Sequence, residues 1–503
     1  MSSTGAFQDF TSIATHNLDP ALGLNAGNGI RTGAQYREGL RDGRSIWLGG
    51  RKIEDVTAED GFRGGVDTLA ALYDQQHSGS FRDSMTTLDA DGVRISASYL
   101  APTSKNELLH KRKNTEVWSE ATLGYMGRFP DFCANLVVGL RNAAPYLAEF
   151  NSRLADNAGR YLDYCARNDL SLTHALNDQF FDRTKSANEQ HDPDLILRVV
   201  SEDDTGIVVR GLKNLATLSP ICDEALVYPN RPRTTDEVDQ SIAFAIPMNA
   251  PGLHVICRDA YGAGRDSSRL PLSTRFDEID ATLIFQDVKV PWDRVFIYKN
   301  PALVSQLIGL INPPWSGYVT LIRLVAKLEA FVGVLELLCR YDGKAGYPPI
   351  AMRLGEIVRD VSVLKACLRA MEEDARMTDA GYLKPAASDA YRLFGVEASE
   401  RAVQIMEDVA ASALIPTGSE ADCEIPEIGG LATSWFKGAS PSAARQMRLM
   451  ALAGDMTQSS FGARTQLYER FHMGPPDLIK QRLYRNTATE AWVHRIESFI
   501  DNF

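Results

Sequence analysis

A chain of 503 residues, 44% hydrophobic and 23% charged, is too long for one ordinary core and has the balance of a soluble protein with two or three domains. No apolar run nears the roughly 18 residues that a bilayer span requires, so no membrane span is predicted. A formal charge of -12 argues against a main role in coating nucleic acid, so an anionic cofactor would need a local basic patch.

In chain order, residues 1–30 are rich in Gly, Ala, Asn and Ser and lack a basic start followed by an apolar stretch. They predict a flexible N-terminal tail on a cytoplasmic protein rather than a secretory signal. Residues 31–168 read as a mostly helical domain, with "WLGGRKI" as a hairpin and "GGVDTLAALYDQQ", "NELLHKRKNTEVWSEATLGYM" and "AAPYLAEFNSRLADNAGRYLDYCARN" as helical stretches. Within it, "GYMGRFPDF" interrupts the pattern: Pro130 disfavours helix at the preceding residue, so a helix should end or kink there and turn Arg128 off its surface.

Over 169–298 the period becomes strand-like, in "TGIVVRG", "EALVYP", "IAFAIPM", "LHVICR" and "ATLIFQDVKV", and the segment "VPWDRVF" should close the strand region, because Pro291 cannot continue a ladder. From 299 to 503 the helical period returns: Ile357, Val361, Leu364, Leu368 and Met371 recur every three or four residues, which predicts a bundle. Helices, then strands, then helices is the order of separate α, β and α domains rather than of βαβ units, and no internal repeat is present.

The familiar chemical motifs are missing. There is no Gly-x-Gly-x-x-Gly between strand and helix, no Gly-x-x-x-x-Gly-Lys-Ser/Thr, no Gly-x-Ser-x-Gly elbow and no His-Glu-x-x-His helix. Seven cysteines without Cys-x-x-Cys spacing and eight scattered histidines predict buried free thiols and no metal site.

Five separated stretches carry more: "RTGAQYREGLRDGRSIWLGGRKIEDVT", "GYMGRFPDF", "LTHAL", "PLSTRFDEIDATLIFQDVKVPWDRVF" and "DMTQSSFGARTQLYERF". In this order, from about residue 31 to the end, the chain resembles the 4-hydroxyphenylacetate 3-hydroxylase family, the oxygenase components of two-component flavin monooxygenases. The resemblance implies an α+β, acyl-CoA dehydrogenase-like fold: an N-terminal helical domain, a middle β-barrel-like domain and a C-terminal four-helix bundle that assembles a homotetramer. It implies FAD, supplied as FADH2 by a separate flavin reductase through transient contact or free diffusion, with O2 as co-substrate. The reaction implied is ortho-hydroxylation of a phenolic or related electron-rich aromatic by a flavin C4a-hydroperoxide, on a substrate either free or carrier-protein-linked, in a natural-product or degradative pathway.

By the same resemblance Arg128 and His174 are the catalytic pair, and with Phe132 they bind the substrate. A guanidinium stays charged and suits a phenolate, and a neutral imidazole can take or donate a proton near neutral pH. Taken alone, Arg128 reads equally as a helix-terminal arginine paired with Asp131 or another carboxylate, and His174 as a satisfied core or capping residue. The FAD-binding positions implied are His174, Ala175, Leu176, Phe180 to Arg183, Thr217, and Ser459, Ser460, Phe461, Gly462 and Arg464. Arg183 and Arg464 would neutralise the pyrophosphate, while "SSFGAR" alone reads as a helix C-cap with glycine. Arg275 and Asp277 read as a salt-bridged turn or as charged site residues, and Trp315 as a pocket wall or a core residue.

The chain departs from the family pattern at Phe132, where hydroxyphenylacetate hydroxylases carry a tyrosine. One hydroxyl donor is thereby missing, a loss of about 0.5–1.5 kcal/mol that phenol hydroxylation survives, while hydroxyphenylacetate itself loses its claim as substrate. Halophenol monooxygenases also lack that tyrosine but do not keep the Thr-His-Ala-Leu stretch. The 4-hydroxybutyryl-CoA dehydratase branch holds an iron-sulfur cluster on cysteines where this chain has Arg128 and Phe132, which excludes that chemistry. Oxidative dehalogenation and a catalytically silent flavin-fold binding protein are the alternatives.

Overall fold

The computed structural model describes residues 27–502 except Phe180, Phe181 and Arg183, so the contacts expected of Phe180 and Arg183 lie outside the described residues, as does the tail through residue 26. Residues 27–30 are held to the body: the N–H of Gly29 donates to the carbonyl of Arg167 (2.9 Å) and that of Ile30 to the carbonyl of Arg94 (2.9 Å).

The longer helices of the first part are α1 (Asp60–Gln75), α2 (Lys105–Ala121), α3 (Pro130–Asn142) and α4 (Ser152–Asn168). Ser104 caps α2 by accepting the N–H of Glu107, and Asn151 caps α4 by accepting that of Leu154. Between α2 and α3 the backbone of residues 122–129 is non-helical, with Leu123 (φ 51°) and Gly124 (φ 69°) left-handed. The expected break is there, but its cause differs from the expectation. The first helix has already ended at Ala121, and Pro130 occupies the first position of α3, where a missing N–H costs nothing and the fixed φ favours the helix.

The middle region holds two open sheets, and among the described residues no closed barrel forms, which corrects the barrel-like expectation. Its strands, with the early hairpin, are β1 (Ser45–Leu48), β2 (Arg51–Ile53), β3 (Leu172–Ala175), β4 (Arg198–Asp203), β5 (Gly206–Thr217), β6 (Glu224–Val227), β7 (Ala243–Pro247), β8 (Leu253–Cys257), β9 (Asp280–Pro291) and β10 (Val295–Ile297). The six-stranded sheet runs β2-β1-β8-β9-β5-β4 and the four-stranded sheet β10-β7-β6-β3. The hairpin turns on Gly49 (φ 57°) and Gly50 (φ 77°), the double positive-φ turn that matches strand twist. It does not stay with the helical segment, because β1 pairs in parallel with β8, Ser45 opposite His254. Pro291 ends its ladder, opposite Gly206, and after a short turn the strand region closes with β10, which joins the other sheet.

The longer helices of the last part are α5 (Pro301–Ile311), α6 (Gly317–Tyr341), α7 (Pro348–Glu373), α8 (Asp389–Ala410), α9 (Ala443–Thr457), α10 (Ser460–Phe471), α11 (Pro476–Arg485) and α12 (Glu490–Ile500). The five periodic residues of α7 are all buried, and α6 packs on α7, α8 and α9, which realises the expected bundle. In α12 the opposite holds. Trp492, Val493, Ile496, Phe499 and Ile500 are all exposed and the helix buries nothing. No helix among the described residues is long and apolar enough to cross a membrane.

One ion cluster joins the bundle to the loop before α3. Arg323 of α6 donates to Glu469 of α10 (2.7 and 2.9 Å) and to the carbonyl of Gly124 (2.6 Å), and Lys327 donates to the same carboxylate (2.9 Å), all out of water. Burial alone would raise the Glu469 carboxyl, but Arg323 and Lys327 hold it far below the usual range. Glu469→Ala leaves two buried cations without a counter-ion, a loss of about 3–5 kcal/mol. The expected result is a clearly lower thermal unfolding midpoint by calorimetry, and an unchanged midpoint would refute the cluster's structural role.

Candidate active site

Arg128, Phe132 and His174 converge. The Arg128 guanidinium carbon lies 4.0 Å from the centre of the Phe132 ring, and that ring meets the His174 imidazole edge-on, centroids 5.5 Å apart at 88°. Arg128 comes from the loop, Phe132 from the first turn of α3 and His174 from β3, so a helix start and a strand are aimed at one point.

Arg128 is 6% exposed and, among the described residues, makes no ion pair. Its Nη1 donates to the hydroxyl of Tyr468 and to the carbonyl of Gly127 (3.2 Å), while Nε is buried without a partner. The expected alternative, pairing with Asp131, is overturned: Asp131 accepts from Asn114 Nδ2 (2.8 Å) and Thr115 Oγ1 (2.7 Å), which fastens α3 to α2. A cation removed from water without a counter-ion is costly, so this guanidinium is poised for an anion.

His174 also has capacity to spare, since its Nδ1 is sealed from solvent and has no hydrogen-bond partner among the described residues. Removal of water from around the ring, with repulsion from Arg128, holds its pKa well below the ordinary histidine value, so the imidazole is neutral at physiological pH.

The residues expected around FAD are joined by two carboxylates that sequence reasoning passed over. The hydroxyl of Thr217 donates to Asp280 (2.7 Å), Arg464 donates to both oxygens of Asp280 (2.7 and 3.0 Å) and to Glu278 (3.1 Å), and Glu278 accepts the N–H of Arg128 (2.5 Å). Burial alone would raise Asp280, but Arg464, Arg258 and Thr217 hold it down to about 2. The Thr173 hydroxyl donates to the Thr217 carbonyl (2.7 Å), which brings His174, Ala175 and Leu176 beside β5. Glu278 and Asp280 stand in the same "STRFDEID" stretch as Arg275 and Asp277. There Arg275 is exposed, whereas Asp277 is paired with Arg258 at 2.6 Å, the salt-bridged reading. Trp315 is fully buried against Gly139, a core residue.

"SSFGAR" forms a helix start, not the C-cap that its glycine suggested. Ser459 caps α10 by accepting the N–H of Gly462 (2.9 Å), and a Cβ on Gly462 would crowd the Thr457 backbone at 2.8 Å. Phe461 packs inward on Tyr125, whereas Ser460 is exposed. A flavin fits this donor set in part: the unpartnered His174 nitrogen, the end of β3, Thr217 and the first turn of α10 can hold it, the last by its outward N–H groups. Arg464 offers less than expected, because its charge is already met by two carboxylates.

Two family models match the chain, described as 4-hydroxyphenylacetate 3-hydroxylase N terminal over residues 32–297 and C terminal over residues 315–501. A Thermus thermophilus protein named 4-hydroxyphenylacetate 3-monooxygenase oxygenase component is 36% identical over 93% of this chain and 97% of its own length. A Streptomyces globisporus monooxygenase, named for a 3-amino-3-(3-chloro-4-hydroxyphenyl)propanoyl group on a peptidyl-carrier protein, is 31% identical over 95% of this chain and 90% of its own. A crystal structure of a 4-hydroxyphenylacetate 3-monooxygenase oxygenase component complexed with FAD and 4-hydroxyphenylacetate superposes with a TM-score of 0.88 at 35% identity, covering 94% of this chain and 98% of the other.

His174 is not the only histidine kept neutral. Burial and repulsion from Arg128 and Arg323 outweigh Glu469 at His472 and put it at about 3. As pH falls through about 6.5 the unfolded chain protonates both rings while the folded chain does not. Stability therefore falls with pH below about 6.5, by about 1.4 kcal/mol per pH unit for each ring, and neither contributes above it. In His472→Gln, denaturant unfolding between about pH 6.5 and 5 should show a pH slope shallower by that amount, and an identical slope would mean the ring is not held neutral.

Proposed function

The chain belongs to the 4-hydroxyphenylacetate 3-hydroxylase family, and from that premise we propose that it is the oxygenase component of a two-component, FAD-dependent monooxygenase that adds one oxygen atom to a phenolic ring, ortho to its hydroxyl. Reduced FAD, delivered by a separate reductase, supplies the electrons that activate O2 for transfer to the ring. The observation that carries this reading is the buried Arg128 guanidinium, without an ion-pair partner among the described residues, lying over the Phe132 ring, whose edge meets a neutral imidazole.

In this reading Arg128 holds the phenol oxygen as an oxyanion, and a ring that carries the charge on oxygen is the better nucleophile toward an electrophilic oxygen. The phenol proton passes to the ring nitrogen of His174 that carries none, which its depressed pKa keeps available. Phe132 gives an apolar wall where a tyrosine would have given a donor. Burial of Arg128 and Phe132 keeps water from competing for the cation. The substrate is a phenol, free or carrier-borne, for which this wall is adequate.

The exposed apolar face of α12 supports a homotetramer. A helix of 11 residues is marginal alone, below about 12–15, so its stability needs a packing partner, and a second copy of the chain is the partner proposed. Ile496→Asp places a charge in that face. By sedimentation the unaltered chain should run as a tetramer and the variant as a smaller species, and equal sizes would exclude α12 from the assembly.

The activity itself is tested with enzymatically reduced FAD, O2 and a panel of 4-hydroxyphenyl acids, nitrophenols, halophenols and carrier-linked aromatics, read by mass spectrometry. A gain of one oxygen by at least one phenol is expected. Halide release would turn the reading toward dehalogenation, and no oxygenation together with no flavin binding would turn it toward a silent binding protein.

A further inference from the structure

Arg128 rests against two aromatic rings. Its guanidinium carbon is 4.0 Å from the Phe132 ring centre and 4.9 Å from that of Tyr468, and His472, one helical turn beyond Tyr468, stacks on Tyr468 at 4.3 Å and 10°. The Tyr468 ring stands among three arginines, since Arg323 and Arg464 each place their guanidinium carbon 5.4 Å from its centre. Two of the three are bound to carboxylates, Arg323 to Glu469 and Arg464 to Asp280 and Glu278. Arg128 is bound to the tyrosine itself.

The hydroxyl of Tyr468 is fully used in this arrangement. It accepts from Nη1 of Arg128 and donates to the carbonyl of Gly127 (3.2 Å), so the phenol grips both the side chain of Arg128 and the peptide before it. Gly127 is the mark this leaves in the sequence: a Cβ there would overlap the ring and hydroxyl of Tyr468. Burial keeps Tyr468 protonated against the pull of Arg128 and Arg323, which preserves its ability to donate to Gly127.

We propose that Tyr468 is a positioning residue that orients the Arg128 guanidinium toward the phenol oxygen and so sets how strongly the site stabilises a phenolate. The inference rests on the reading of Arg128 as the phenolate-holding group and deepens it. Phe132, the other ring against the same guanidinium, has no hydroxyl with which to share the task, so orientation falls to Tyr468. A loose guanidinium on a long side chain samples several rotamers, and one that rests against two rings and is bound at one nitrogen samples fewer.

The probe is 4-nitrophenol, whose ionisation is visible by difference absorbance, bound to the full chain loaded with oxidised FAD. In Tyr468→Phe the stack is kept and the hydroxyl removed. The apparent pKa of the bound nitrophenol should rise by about one unit, a tenfold loss of phenolate preference, and its affinity above that pKa should fall about tenfold, with FAD affinity unchanged. Adding Phe132→Tyr should restore part of both, because it puts a hydroxyl on the second ring that rests against Arg128. An unchanged pKa in Tyr468→Phe, or a loss that parallels weakened FAD binding and is not restored by Phe132→Tyr, overturns the inference. Arg128→Met separates it from its premise: if Arg128→Met leaves nitrophenolate binding intact the phenolate-holding reading itself fails, and if only Tyr468→Phe is silent the positioning role alone fails.

Discussion

Glu278 accepts the N–H of Arg128 with one carboxylate oxygen and the guanidinium of Arg464 with the other, and it is fully out of water. Those three residues belong to the loop before α3, the approach to β9 and the helix α10, one from each part of the chain. A buried carboxylate tolerates little slack in its donors, because each unmade bond leaves it with a desolvation cost of about 1–3 kcal/mol or more. The three parts must therefore meet in one geometry around it. Asp280, two residues on, repeats the constraint with Arg464, Arg258 and Thr217 and carries it into the six-stranded sheet.

Against this well-satisfied background the unsatisfied groups stand out. The guanidinium groups of Arg323, Arg464 and Arg258 each have carboxylates within 3.1 Å, whereas that of Arg128 has none among the described residues, where His174 also keeps a nitrogen without a hydrogen-bond partner. Cations and polar atoms are rarely left so inside a protein unless something else completes them. An oxyanion beside Arg128 and a hydroxyl proton beside His174 would complete both, and a phenol offers the two together.

The α, β, α order was legible because it is written in periodicity, every three or four residues in "LGEIVRDVSVLKACLRAMEEDA" and alternation in "ATLIFQDVKV". The double-glycine turn of the hairpin was equally legible, but its parallel pairing with β8 was not, since nothing local to residues 45–48 points to residues 254–257. Pro130 was misread by position rather than by property: the same ring that ends one helix can begin the next. Glu278 and Asp280 were missed because a carboxylate's worth depends on Arg464, 184 residues away from Asp280, while Arg275 and Asp277 drew attention by charge alone. Gly127 held the one local hint of Tyr468, an absent Cβ, and an absence does not name its cause.

Phe132 changes how such a site can discriminate. With a tyrosine there, a phenol would be recognised by a hydroxyl donor as well as by a charge, and the first acts on neutral and ionised phenols alike. With phenylalanine, recognition of the oxygen under the proposed function rests on Arg128 and His174, one of which favours the anion and the other of which can take the proton that makes it. Under the proposed function, selection then follows the ease of ionising the ring hydroxyl, and phenols made more acidic by nitro or halogen substituents gain over unsubstituted ones. The remainder of the ring meets an apolar face, so added bulk is accepted by area and shape rather than by hydrogen bonding. On that reading, the phenylalanine that removes a hydroxyl from the site shifts its specificity from the pattern of donors to the acidity of the guest.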